Sequence, residues 1–237
     1  MPAAAAMAAQ GFITKRIRGL MKKRFVLAAM LAAAPFAASA AGNGLSYTYV
    51  EGGYAQANIN ENFDDFGDVD ASGGYIKGSI EISPSFYLFG SYAKASDDET
   101  IEPVEDLTVR LEDDLTQAEG GVGYHMAWGE RVDFIAEAAY VSIERDVDVT
   151  ARYGDDSDSD SVTIDQKGGR AAVGVRGGND RAEGWLKIGY LSGSDFDGNF
   201  IGTLGGQFKF NRTWGLVGEV EVVDDVTRYT AGVRASF

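Results

Sequence analysis

Apolar and polar residues alternate with a period of two along most of this chain. Beyond residue 41 no run of about 18 apolar residues occurs and no period of about 3.6 is sustained, so the pattern predicts β-strands and not helices. Turn residues divide the chain into about ten candidate strands, each roughly ten residues long. The candidate strands cover residues 45–59, 71–82, 86–95, 115–126, 132–143, 162–176, 184–191, 200–210, 214–223 and 228–237.

The connections between the candidate strands alternate in length. Tight turns are predicted at residues 83–85, 125–131, 177–182 and 211–213, and longer acidic loops at 60–70, 96–106, 145–161 and 192–199. Short turns at one rim and long polar loops at the other are the layout of an outer-membrane barrel. We therefore predict an all-β, antiparallel transmembrane barrel of about ten strands, with about eight as the alternative, in the outer membrane of a Gram-negative bacterium.

The two faces of a candidate strand differ in polarity. In residues 214–223, Trp214 and Leu216 alternate with Glu219 and Glu221 on the opposite face. A soluble β-sandwich would show a similar alternation, and it is the alternative fold. Aromatic residues beside the tight turns favour the membrane, because such side chains suit the interface between lipid and water. These aromatic residues are Phe86, Phe134, Phe210, Trp214 and Phe237.

Residues 21–40 have the features of a cleaved secretory signal peptide. Three basic residues at 22–24 precede an apolar run over 25–36, and Ala38-Ser39-Ala40 fits a cleavage site before Ala41. The apolar run is too short for a transmembrane helix. We expect residues 1–20 to precede the true start codon and residues 41–237 to form the outer-membrane barrel.

Removal of this leader makes the chain strongly acidic. Six of the 21 Lys and Arg residues and none of the 36 Asp and Glu residues precede residue 41, so the mature chain has a net charge of −21. Such a charge repels nucleic acid, and no nucleic-acid partner is expected. The chain has no Cys, which excludes a disulfide framework and thiol catalysis.

Acidic and basic residues balance on the polar faces of the candidate strands. Charges inside a narrow barrel are costly unless they are paired. We therefore predict a network of ion pairs that fills the interior, whereas the alternative places some of these residues in water at the rims. The predicted network contains Glu51, Lys77, Glu81, Glu119, Asp133, Glu137, Arg170, Arg176, Lys187, Lys209, Glu219, Glu221, Arg228 and Arg234.

No set of residues in the sequence forms a recognisable catalytic site. His125 is the only histidine, and it falls in a predicted turn at the periplasmic rim, away from the outer loops. A hydrolase or acyltransferase site in those loops would therefore have no histidine to use. We expect no enzymatic activity, no catalytic residue and no cofactor.

Asp156, Asp158 and Asp160 have the D-x-D-x-D spacing of some calcium loops. No glycine follows at the sixth position and Lys167 stands where an EF-hand loop has glutamate, so the stretch is not an EF-hand. We interpret it as a solvated acidic loop. Loose binding of divalent cations that bridge to lipopolysaccharide phosphates is the weaker alternative.

Several short stretches resemble a known protein family. They are Y-V-E-G-G-Y (49–54), G-V-G-Y (121–124), R-V-D (131–133), K-F-N-R-T-W-G-L (209–216) and the aromatic C-terminus. The chain resembles small outer-membrane β-barrel proteins of proteobacteria, and within them the xanthomonad barrel family also described as quorum-signal and immunity-activator proteins. The resemblance covers most of residues 21–237. It implies an outer-membrane location, a barrel without enzymatic activity and release in membrane vesicles.

The C-terminal stretch Y-T-A-G-V-R-A-S-F alternates up to a terminal aromatic. We interpret Tyr229, Val233 and Phe237 as an assembly signal read by the barrel-assembly machinery. Outer-membrane lipid and lipopolysaccharide are the other expected partners, and the sequence names no extracellular ligand. The leading hypothesis is a structural or surface-interaction role through acidic outer loops. The alternatives are a narrow porin-like channel for small solutes or ions, and a vesicle-released signalling or adhesion protein.

Overall fold

The computed structural model describes residues 45–59, 69–104, 107–153, 156–193, 198–224 and 226–237. Within these ranges the chain forms ten strands, which close into one barrel. The strands are β1 (Tyr49–Ile59), β2 (Val69–Ser83), β3 (Phe86–Val104), β4 (Leu107–Ala127), β5 (Val132–Tyr153), β6 (Asp156–Gly178), β7 (Ala182–Gly193), β8 (Asn199–Lys209), β9 (Trp214–Val223) and β10 (Val226–Ser236). In the same ranges no helix has the length and hydropathy that crossing a membrane requires.

Each strand pairs antiparallel with its neighbour in sequence, and the last strand pairs with the first. Glu51 of β1 lies opposite Lys77 of β2 on one side and opposite Arg234 of β10 on the other. The predicted all-β antiparallel barrel is thereby confirmed, with ten strands and not eight in the described ranges.

The barrel is apolar on its outside and polar on its inside. Successive side chains of a strand point to opposite faces. In β8, Leu204 is 62% exposed and its neighbour Thr203 only 3%, and β7 repeats this alternation along most of its length. An outward band of exposed large apolar side chains is what a lipid-facing wall requires.

Asparagine side chains close two of the tight turns between strands. Asn179 Oδ1 accepts hydrogen bonds from the backbone N–H groups of Arg181 and Ala182, at 2.8 and 3.0 Å. Asn211 Oδ1 does the same for Thr213 and Trp214. Such a side chain replaces a backbone partner within the turn, which explains why short connections suffice at this rim.

The acidic segments predicted as loops at 96–106 and 145–161 are largely strand, so that prediction was wrong. The strands β3 to β6 have 19, 21, 22 and 23 residues, whereas β7 to β10 have 12, 11, 10 and 11. Valines supply the strand preference, and they pair with the acidic positions: Val149 lies opposite Asp160. Aspartate and serine have a low preference for β-strands, so the sequence of these segments did not predict strands.

The extra length of β3 to β6 forms a four-stranded sheet beyond the barrel wall. Pairing of β2 with β3 ends at Ser96, and pairing of β6 with β7 ends at Gly168. We call the residues beyond these points the projecting sheet; it comprises residues 97–104, 107–114, 144–153 and 156–167. At ~3.3 Å per residue it extends roughly 30 Å past the barrel.

The rim with the tight turns is the periplasmic rim in outer-membrane barrels, and residues 45–48 precede β1 at this end. The first strand begins at Tyr49 and not at residue 45 as predicted. Before it, Leu45 and Tyr47 are buried in the opening, where Ser79 Oγ donates a 2.7 Å hydrogen bond to the Tyr47 carbonyl oxygen. The predicted leader and start, residues 1–20 and 21–40, lie outside the described residues.

Candidate functional site

Arg170 of β6 is the centre of a charged cluster inside the barrel. Its Nη2 lies 2.6 Å from Glu119 Oε1 of β4 and 3.7 Å from Glu137 Oε2 of β5, and its Nη1 lies 3.1 Å from Glu221 Oε2 of β9. The strands β4 and β9 stand on opposite sides of the closed barrel. The guanidinium group of Arg170 therefore bridges the lumen.

Further ion pairs cross the lumen on the periplasmic side of Arg170. Lys77 Nζ of β2 lies 3.2 Å from Glu219 Oε1 of β9, whose other oxygen accepts a 2.6 Å hydrogen bond from Trp185 Nε1. Lys187 Nζ lies 3.0 Å from Glu137 Oε2. These carboxylates are stabilised because each has a cation and a second donor or cation within reach.

Glu183 holds three cations together at the periplasmic end. Its side chain has no solvent exposure, and Arg176 Nη2 approaches Glu183 Oε1 to 2.7 Å. Lys209 Nζ and Arg234 Nη1 each lie 3.5 Å from its carboxylate. Arg234 also forms a 2.5 Å ion pair with Glu51. The carboxylate of Glu183 is thus the common partner of three buried positive charges.

The sequence reading missed Glu183 because it ended a turn at residue 182 and began a strand at Gly184. The alternation Glu183, Trp185, Lys187 was nevertheless present, since these residues share one face of β7. Extending that strand by one residue would have placed Glu183 in the predicted network.

At least twelve of the fourteen residues predicted for the interior network make ion pairs with an opposite charge in the described part of the chain. Among them, Arg228 pairs with Glu221 and also donates a hydrogen bond to Gln117. Glu81 differs, because none of the described cations pairs with it; its backbone N–H donates to Thr48 Oγ1 at 3.1 Å.

Asp133 of the predicted network lies with His125 and Tyr47 at the periplasmic end. Tyr47 O–H donates a 2.9 Å hydrogen bond to Asp133 Oδ2, and His125 Nδ1 lies 3.7 Å from the same oxygen. The imidazole ring stacks on the Tyr47 ring at 3.9 Å. The placement of His125 in a turn was wrong: it belongs to β4 and is buried, because the turn begins only at Trp128.

Two interior glycines make room for aromatic rings in the cluster. A Cβ atom at Gly123 would overlap the ring of Tyr87, and one at Gly205 would overlap the indole of Trp185. Tyr87 O–H donates a 2.8 Å hydrogen bond to Glu137 Oε1. Two cavities among the charged residues have volumes of about 40 and 30 Å³, which is room for a few waters.

The acidic D-x-D-x-D stretch lies in β6 at the projecting sheet. The Asp158 and Asp160 side chains are exposed, and each accepts a hydrogen bond from the next residue's backbone N–H. Residues two apart on a strand are spaced by ~6.6 Å, which does not favour a shared ion. In the ranges that the structure describes, no group of three or more His, Asp or Glu side chains is placed to hold a metal. Loose binding of divalent cations stays a prediction.

The residues of the predicted assembly signal share the outer face of the barrel. Tyr229 and Val233 point toward lipid and are exposed, as is Phe237 just beyond β10. The Phe237 backbone N–H donates a 2.9 Å hydrogen bond to the Thr48 carbonyl oxygen, which closes the seam between the two chain ends.

Comparisons with known proteins point to one family. A model of the outer membrane protein β-barrel domain family matches residues 25–235. No curated protein matches the chain. Similar solved structures include the attachment invasion locus protein Ail of Yersinia pestis (15% identity, 81% of this chain and 99% of that chain, TM-score 0.40). The translocator domain of the autotransporter NalP from Neisseria meningitidis is 12% identical, with 94% of this chain and 98% of that chain covered and a TM-score of 0.49. The KdgM porin is 13% identical, with 80% of this chain and 99% of that chain covered and a TM-score of 0.39.

Proposed function

The chain belongs to the outer membrane protein β-barrel domain family and lies in the outer membrane of a Gram-negative bacterium, and on this premise we propose that it is a closed barrel with a surface-interaction role. The acidic projecting sheet carries this role by attracting cationic partners. The narrower resemblance to the xanthomonad barrel family is part of the same proposal and rests chiefly on K-F-N-R-T-W-G-L.

The charge of the projecting sheet is the observation that carries the proposal. Its residues include fourteen carboxylates and four basic side chains. Two of those cations are already engaged within the sheet: Arg145 Nη2 lies 2.5 Å from Asp113, and Arg110 Nε lies 2.8 Å from Glu112. Most of the acidic charge therefore acts outward, where it raises the rate of encounter with a cationic partner.

The projecting sheet is also a pre-formed surface. Its two hairpins are paired side by side through β4 and β5, from Leu107 opposite Tyr153 down to the barrel. A paired sheet loses less conformational freedom on binding than mobile loops would. This rigidity supports recognition of a macromolecular surface.

The porin-like channel is the second candidate, and the interior disfavours it. Ion pairs cross the lumen at several levels, and the two cavities of about 40 and 30 Å³ among them have room for only a few waters. Charges of both signs line the same space, so the interior selects neither cations nor anions. We further propose that the protein is not an enzyme, that it contacts outer-membrane lipid and lipopolysaccharide, and that release in vesicles is a secondary route.

Neutralising exposed carboxylates of the projecting sheet tests the surface role. We expect the triple variant Asp148→Asn, Asp158→Asn, Asp160→Asn to bind poly-lysine about tenfold more weakly than the wild type, at ~0.5 kcal/mol per exposed charge. The protein is held in nanodiscs of neutral phosphatidylcholine, and binding is measured by calorimetric titration at low salt. Binding by the wild type should disappear near ~1 M salt, where screening acts within ~3 Å.

The matched control neutralises acidic residues at the opposite rim. The variant Glu130→Gln, Asp180→Asn changes exposed side chains in the periplasmic turns and should bind poly-lysine like the wild type. Equal binding by the triple variant and the wild type would refute a role of the projecting sheet. An equal loss in the control would assign the effect to net charge alone.

Removing the terminal aromatic residue tests the assembly signal. We expect deletion of Phe237 to lower the amount of folded barrel in the outer membrane while export to the periplasm continues. Fractionation and the mobility difference between unheated and boiled samples measure this. Phe237→Trp keeps an aromatic ring at the lipid face and should restore assembly. Wild-type levels of the deletion variant would argue against the signal.

A further inference from the structure

We propose that the outer mouth of the barrel is a binding site for a small amphiphile, an apolar chain that ends in a carboxylate. This site adjoins the base of the projecting sheet, which contributes Arg145, Ile164 and Gln166 to its lining. The proposal rests on three features of the mouth: an apolar wall, an unfilled volume and an accessible guanidinium group on its floor.

The wall is formed by apolar side chains that point into the lumen. Val141, Leu191 and Ile201 are buried and in contact with one another, and Ile143 and Val223 pack against them. The interiors of outer-membrane barrels are polar. The register brings these residues from four strands to one level, directly outside the charged cluster, with Ile201 opposite Val223 and Val141 opposite Glu119.

The apolar wall encloses space that its own side chains do not fill. The cavity has a volume of about 350 Å³, whereas the cavities among the charged residues have about 40 and 30 Å³. A closed apolar core would be packed to high density, since voids are costly. The volume lies in the range of about 300–1,000 Å³ typical of small-molecule sites. At ~30 Å³ for each group of the size of water, a chain of about ten carbons fits.

The charges that line the cavity favour a negative head group. Arg145, Arg170 and Arg228 line it together with Glu119 and Glu221. Arg145 is paired with Asp113, and Arg170 with Glu119, Glu137 and Glu221, whereas Arg228 has Glu221 as its one ion-pair partner among the described residues. The Arg228 side chain is 22% exposed, but Arg170 and Glu221 are each only 9% exposed. A carboxylate that descends along the wall passes Arg145, which is held by Asp113, and can accept charge-assisted hydrogen bonds from the Arg228 guanidinium. A cationic head group would meet the same guanidinium and be repelled.

The projecting sheet affects the rate at which a ligand enters the mouth of the barrel. Its negative charge opposes the approach of an anion, and salt screens that repulsion. The association rate of a carboxylate ligand should therefore rise with ionic strength, the reverse of the behaviour of poly-lysine at the projecting sheet. The opposite salt dependences separate the two sites in one preparation.

The test measures decanoate binding to the full barrel in nanodiscs without detergent, since detergent would occupy the cavity. Calorimetric titration, with empty nanodiscs subtracted for partitioning into lipid, should show one saturable site. Decanol and decyltrimethylammonium have the same chain, and we expect each to bind at least about tenfold more weakly because neither forms the charge-assisted contact. Absence of a saturable site, or equal affinity for decanol, would overturn the proposal.

Two variants and one control variant locate the site. Ala57→Phe fills the cavity from β1 and should abolish decanoate binding, whereas Ala231→Phe adds the same ring on the lipid face and should leave it unchanged. Arg228→Met should remove the preference for decanoate over decanol while the chain still binds. The mobility of unheated samples verifies folding of each variant. Unchanged binding by folded Ala57→Phe would place the ligand elsewhere and refute the site.

Discussion

Replacing Glu183 with alanine should lower the free energy of unfolding of the barrel by about 3–5 kcal/mol. The substitution removes the common partner of Arg176, Lys209 and Arg234 and leaves their positive charges close together away from water. The loss exceeds that of an exposed ion pair because the uncompensated charges cannot be hydrated. The folded barrel migrates as a compact band on gels of unheated samples, and the fraction of protein in this band at increasing urea concentration measures the change.

Two comparisons separate this effect from loss of side-chain volume. Glu183→Gln keeps the size and one acceptor oxygen but removes the charge, so it should also destabilise the barrel, by less than alanine does. Glu130→Ala removes an exposed carboxylate in a periplasmic turn and should have little effect. If the alanine variant fails to form the compact band, the glutamine variant carries the measurement. A wild-type urea midpoint in both variants would contradict the role of Glu183.

The faces of the strands could be predicted from the sequence because they depend on local alternation alone. In β9, Trp214 and Leu216 face lipid, while Val217 and Glu221 are buried in the lumen, as the period of two requires. The balance of charges on the inner faces followed from the same alternation. Hence the fold class, the location and the composition of the interior were within reach of one sequence.

The pairing of those charges could not be predicted, because it depends on register and closure. Arg170 and Glu221 are 51 residues apart and meet because closure of the barrel turns the inner faces of β6 and β9, which are not neighbours, toward one lumen. The apolar wall of the mouth was hidden for the same reason. Val141, Leu191 and Ile201 belong to three different strands, and only the register of those strands brings them together as a cluster.

The length of the projecting sheet could not be predicted for a different reason. The stretch around Asp158 has the composition of a solvated loop, and its strand state comes from its partner β5, whose valines lie opposite. Tertiary pairing of this kind overrides local preference. A sequence reading therefore underestimates strands that continue into water beyond a membrane.

Opening the lumen from both ends should convert the barrel into an ion channel. The Arg170 side chain lines both the mouth cavity and the small cavity beneath it, so Arg170→Ala joins the two. Tyr47→Ala empties the periplasmic opening, where the Tyr47 ring is buried. In planar lipid bilayers we expect no reproducible conductance steps from the wild type and clear steps from the double variant.

The ion selectivity of the double variant follows from the charges that remain. Loss of Arg170 leaves Glu119 without an ion-pair partner among the described residues, so the lumen gains an unbalanced negative charge and should prefer cations. Leu204→Ala shortens a lipid-facing side chain and should stay silent, like the wild type. Steps of equal size from wild type and double variant would instead support the channel function. If the double variant folds but shows no conductance steps, then Lys77, Lys187 and their partners are sufficient to close the lumen.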